Sequence, residues 1–120
     1  MVLVQIGRRC RTLSTVKIQT KEQFDELVKQ ESFLILKHSL TCPVSQEAFD
    51  EYQSFVQDHQ EINTAYLAVQ EARPLSNEIA ENYEIKHESP QAILFKDGRP
   101  VWNASHWKIT YDSLSKAIKN

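Results

Sequence analysis

Cys42 is followed by Pro43, Val44 and Ser45, so the chain's most nucleophilic side chain stands at what reads as the start of a helix. Proline suits the first turn of a helix, where its missing N–H would have no partner anyway, and Thr41 before it supplies a cap residue. A cysteine in that position meets the free N–H groups and the positive end of the helix dipole, which favour a thiolate over a thiol. The thiolate is the species that attacks disulfides. An isolated cysteine elsewhere reads as a small hydrophobe; the placement against Pro43 selects the nucleophilic reading. Ser45 stands one helical turn on, where a dithiol oxidoreductase carries its second cysteine. A hydroxyl cannot close an internal disulfide, so a mixed disulfide on Cys42 must be resolved by another thiol. Ser45 is then either a donor to the Cys42 sulfur or an ordinary polar residue of a first turn.

Other residue types point to little further chemistry. His38, His59, His87 and His106 are scattered without the spacing of a metal site, and no metal centre is expected. His38, four residues before Cys42, reads as a surface residue at a strand end unless it faces the thiolate. The only glycines are Gly7 and Gly98, so there is no glycine-rich phosphate loop. Glu22, Asp25, Glu26, Glu47, Asp50 and Glu51 fall opposite apolar stripes and read as solvated faces, not as a hydrolytic carboxylate pair.

The elements that must position Cys42 follow from periodicity. Thr15–Ile18 reads as a short strand, and Thr20 with Gln23 forms a capping box for a helix bearing Phe24, Leu27 and Val28. Ser32–His38 is a continuous apolar run expected as a central strand covered on both faces. Val44, Ala48, Tyr52, Phe55 and Val56 recur at helical spacing to about Asp58. A strand over Ile62–Val69 and a helix introduced by Pro74 with Leu75, Ile79, Ala80 and Tyr83 come next. Gln91–Phe95, the turn dipeptide Asp97-Gly98 and Val101–Asn103 make a hairpin. Thr110 caps a last helix with Tyr111, Leu114, Ala117 and Ile118 on one face. The order is β-α-β-α-β-α-β-β-α, an α/β domain.

With 120 residues, 41% hydrophobic and 25% charged, the chain fits one globular domain. A net charge of −2 gives no sign of nucleic-acid binding, and no apolar run is long enough to span a membrane. Residues 1–14 are expected to be a flexible basic extension and 15–120 the domain. Cys10 and Cys42 are too few for a disulfide scaffold, which with the lack of a secretory signal favours a reducing, cytoplasmic location. Cys10 reads as a bystander.

The βαβ unit, Cys42 at a helix start and Ser89-Pro90 before an antiparallel hairpin together resemble the thioredoxin fold. More narrowly, Lys37 to Gln46, Ser89-Pro90-Gln91 and Ser105-His106-Trp107 resemble the monothiol bacilliredoxin C family of bacillithiol-using bacteria, over about residues 15–119. Leu40 departs from the family's small polar residue there, and Met1–Arg11 lies outside its pattern. The resemblance implies a disulfide oxidoreductase in which Cys42 takes bacillithiol from bacillithiolated client proteins, with bacillithiol as thiol co-substrate and no tightly bound cofactor. It implies Thr41, Pro43 and Ser45 as support for Cys42, and a groove from Val44, Ser89, Pro90, His106 and Trp107. Pro90, by its residues alone a plain strand start, is implied to be cis and to face Cys42. Trp102 reads as packing, while Trp107 reads equally as packing or as groove. Two other classes of function fit the same residues: a thioredoxin-like binding module without turnover, and a redox sensor modified at Cys42.

Overall fold

The computed structural model describes residues 15–119. The basic extension, Cys10 and Asn120 lie outside the described residues. The elements run β1 (Val16–Lys17), α1 (Lys21–Val28), β2 (Ser32–His38), α2 (Pro43–Asp58), β3 (Asn63–Ala68), α3 (Arg73–Asn82), β4 (Gln91–Lys96), β5 (Arg99–Ser105), a 3-10 turn (His106–Lys108) and α4 (Tyr111–Lys119). This is the expected order with the 3-10 turn added.

Local chemistry accounts for most boundaries. The capping box of α1 is present, with the Thr20 hydroxyl accepting from the Gln23 N–H and the Gln23 side chain accepting from the Thr20 N–H. Thr110 accepts the Ser113 N–H at 3.0 Å and so caps α4. Asp97 (φ 53°) and Gly98 (φ 80°) both take the left-handed conformation that a two-residue hairpin turn requires. Pairing therefore resumes at once, with Lys96 opposite Arg99, and β5 is longer than the expected Val101–Asn103. Pro100 is tolerated because β5 lies at the sheet edge.

The sheet order is β1-β3-β2-β4-β5, with β1 and β2 parallel to β3 and the remaining pairs antiparallel. Successive side chains of β2 go to opposite faces. Phe33 and Ile35 join Phe24, Leu75 and Ile79 beneath α1 and α3, whereas Leu34 and Leu36 join Tyr52, Phe55 and Leu114 beneath α2 and α4. Tyr52 is completely buried, and its hydroxyl lies 3.0 Å from the Leu34 carbonyl and 2.7 Å from the Ala65 carbonyl. It thereby pins α2 onto both central strands, and burial pushes its pKa well up.

Because β2 and β4 are antiparallel, Lys37 faces Gln91, so the residues that follow β2 lie beside those that precede β4. Ser105, the last residue of β5, faces Gln91 in turn, and the His106 N–H donates to the Pro90 carbonyl at 3.1 Å. On the other side the Val69 N–H donates to the His38 carbonyl at 2.9 Å. Three segments distant in sequence thus meet at one end of the sheet, and Cys42 belongs to one of them.

The Tyr52 pin predicts that Tyr52→Phe keeps the fold but loses about 1–2 kcal/mol, the cost of a buried hydrogen bond whose acceptors stay behind. Urea unfolding followed by circular dichroism measures it; an unchanged midpoint would show that the hydroxyl contributes nothing.

Candidate active site

Cys42 is itself the N-cap of α2, with extended backbone (φ −104°, ψ 121°) and Pro43 as the first helical residue. This corrects the expected cap at Thr41. Proline takes the first helical position, so the cap falls on the residue directly before it. Thr41 is left exposed in the preceding turn. The Cys42 carbonyl accepts the Gln46 N–H at 3.1 Å and opens the helix ladder. Its thiol is free and half-buried, with no hydrogen bond from its sulfur among the described residues.

Ser45 is fully buried and engaged away from that sulfur. Its Oγ accepts the Ser39 N–H at 2.8 Å and lies 2.9 Å from Nδ1 of His38. One lone pair is occupied by Ser39, so the hydroxyl proton is available for Nδ1 of a neutral imidazole. Burial lowers the His38 pKa, opposed in part by the Ser45 backbone and by the charge of Asp50. The ring stacks on Phe49 with centroids 4.6 Å apart. His38 is therefore not the surface residue its place at a strand end suggested. Alternation along β2 turns it to the face that α2 covers, and the first turn of α2 supplies its polar partner. Gln70 braces the same loop from the β3 side, accepting from the Leu40 N–H at 3.1 Å and donating to the Ser39 hydroxyl at 3.0 Å. The chain between β2 and Cys42 is held on two sides.

The Ser89–Pro90 bond is cis, and Pro90 is buried just before β4. Val44, His106 and Trp107 line a cleft of about 450 Å³ between α2 and the 3-10 turn, together with Glu47, Asp50 and Glu51. Three of the five expected groove residues thus share one cleft, while Ser89 and Pro90 lie outside its lining. Trp107 is 69% exposed and is not a packing residue, whereas half-buried Trp102 packs against the α2–α4 core as expected. Glu47, Asp50 and Glu51 are exposed, and they form the rim of this cleft as well as a solvated face. Glu51 also accepts the Tyr111 N–H at 2.7 Å, tying α2 to the start of α4.

Residue types alone did not single out Lys37, which is completely buried, or its partners Ser76 and His87. The available signal was its parity with Phe33 and Ile35, which directs its side chain beneath α3 and not into solvent.

A model of the monothiol bacilliredoxin BrxC family matches residues 16–114 of this chain. Among solved structures, a thioredoxin-fold protein proposed to be an oxidoreductase is 38% identical, superposes with a TM-score of 0.83, and is matched over 88% of this chain and 94% of its own. Mitochondrial thioredoxin 3 of Saccharomyces cerevisiae (21% identical, TM-score 0.71, 88% and 94% covered) and the thioredoxin of Trypanosoma brucei brucei (15%, 0.73, 93% and 97%) share the fold.

The burial of His38 predicts a pH dependence of stability. Its ordinary value is 6.5 and the folded value lies lower, so the contribution is fully present above 6.5. As the pH falls from there the unfolded chain takes up a proton that the native one resists, and stability drops. Between about pH 7 and pH 5 the urea midpoint of the wild type should fall more steeply than that of His38→Gln, which keeps a polar partner without titrating. Parallel slopes would remove His38 from the account.

Proposed function

Since this chain belongs to the monothiol bacilliredoxin BrxC family and has a thioredoxin-type oxidoreductase fold, we propose that it removes bacillithiol from client proteins through Cys42. The Cys42 thiolate attacks the bacillithiol sulfur of a client–bacillithiol disulfide. That S–S bond breaks, the client leaves as a thiolate, and a Cys42–bacillithiol disulfide forms. A second bacillithiol thiolate then attacks the bacillithiol sulfur of this adduct, releasing bacillithiol disulfide and restoring the Cys42 thiolate. Each step exchanges one disulfide for another, so no outside oxidant or reductant is needed until bacillithiol disulfide is itself reduced elsewhere.

The observation that supports this reading best is the contrast within one helical turn. Cys42 is a free, half-buried thiol at the N-cap, while Ser45 is sealed inside with its oxygen committed to Ser39 and His38. An adduct on Cys42 has no thiol at position 45 to expel it, so it persists until a second molecule arrives. Bacillithiol is then a co-substrate and not a resident cofactor. Val44, His106 and Trp107 on the cleft, and the backbone of Ser89 and Pro90, flank the path of the incoming disulfide. The cytoplasm, where client thiols are kept reduced, is the proposed place of action. No helix of the described residues is long and apolar enough to cross a membrane.

Incubation with a bacillithiolated client, followed by intact mass spectrometry, tests the reading. The bacillithiol mass should move onto the chain at Cys42 with release of a free client thiol, should leave again on addition of excess bacillithiol, and should not move onto Cys42→Ser. An unmodified chain and an unchanged client after hours would overturn it.

A further inference from the structure

Lys37 is completely buried, and no carboxylate lies within ion-pair distance of it among the described residues. Its Nζ donates to the Ser76 carbonyl of α3 at 3.0 Å and lies 3.3 Å from Nδ1 of His87, which is also 3.2 Å from the Ser76 hydroxyl. Desolvation lowers its pKa to about 8. A buried ammonium without a counter-charge costs stability, and an apolar side chain like those of Phe33 and Ile35 on the same face would fill the place without that cost. Stability does not account for a lysine here, so what it holds must.

It holds the segment that leads into Pro90. Residues 85–88 have no regular secondary structure, and His87, exposed on their outer side, turns one ring nitrogen inward to Lys37. Gln91, opposite Lys37 on β4 and also buried, completes the support. Its amide donates to the Lys86 carbonyl at 3.0 Å, and its carbonyl oxygen receives the Glu88 N–H at a long 3.4 Å. The Gln91 amide thereby fastens the backbone at Lys86 and Glu88, and Lys37 fastens the His87 ring between them. We propose that Lys37 is a positioning residue for the reaction: acting through His87, it sets the backbone of Glu88–Pro90 against which a mixed-disulfide substrate aligns before Cys42 attacks. This rests on the reading of Cys42 given under the proposed function.

A residue that only positions the substrate should change KM and leave kcat and the intrinsic reactivity of the thiol alone. In transfer from a bacillithiolated protein carrying one cysteine, Lys37→Met and His87→Ala should each raise KM about tenfold, with kcat and the alkylation of Cys42 by iodoacetamide within about twofold of wild type. His87→Gln keeps an acceptor for the ammonium and should return KM to within about twofold of wild type. Amide exchange of Glu88 and Ser89 should be faster in Lys37→Met and His87→Ala, while that of β2 and β3 stays unchanged. KM and exchange both unchanged in folded variants, or kcat and alkylation falling together with the loss of binding, would overturn the inference. His87 is on the surface, so His87→Ala carries the test if Lys37→Met does not fold. If the wild type accepts no bacillithiol, the proposed function fails by itself and the exchange of Glu88 and Ser89 decides the role of Lys37.

Discussion

Strand β2 pairs in parallel with β3 on one side and antiparallel with β4 on the other, and the grouping of loops at the Cys42 end of the molecule is a consequence of that double pairing. Parallel pairing puts the loop after β3 beside the loop after β2, which is why Gln70 reaches Ser39 and Leu40. Antiparallel pairing puts the start of β4 at the same end, which is why Pro90 lies there. The tight Asp97-Gly98 turn then returns β5 to that end and delivers His106 and Trp107. Were β4 parallel to β2, its first residues would lie at the far end, away from the loop that carries Cys42.

The last two residues of β2 show how a buried strand serves such an end. Alternation sends His38 under α2 and Lys37 under α3, so each face of the sheet receives one polar group just below the loops. On the α2 face His38 and Ser45 fasten the loop that carries Cys42; on the α3 face Lys37 and Gln91 fasten the segment that carries Pro90. Both pairs give up favourable solvation for directional bonds, which hold a short loop in one geometry where apolar contact would let it slide. Farther down the strand, where no loop needs holding, the residues are Phe33, Leu34, Ile35 and Leu36, all without exposed surface.

Most of the architecture was legible in the residues because its signals are local. The capping box of Thr20 and Gln23, the Asp97-Gly98 turn and the two-faced run of β2 each specify their own element, and the order of those elements leaves few ways to build a sheet. The helix start at Pro43 was legible too, though the cap fell on Cys42 and not on Thr41. What was not legible depends on partners from other elements. His38 is surface or core according to whether a helix covers that face, and the direction of the Ser45 hydroxyl depends on the Ser39 N–H being within reach. Lys37 illustrates the same limit: its parity places it on the α3 face of β2, but that Ser76 and His87 receive its amine depends on α3 and the segment before β4 being in place.

The inward setting of Ser45 bears on what a one-thiol site is. Oxygen at this position accepts the Ser39 N–H at 2.8 Å within a fully buried space and still has a proton for His38. Sulfur is larger and a weaker acceptor, so a cysteine would both crowd that space and leave a buried N–H poorly paired. The serine is thus part of what holds the Cys42 loop and not merely a second thiol removed. With that residue built into the support, position 45 offers no second thiol, and Cys42 is left as a free, half-buried thiol at the helix start.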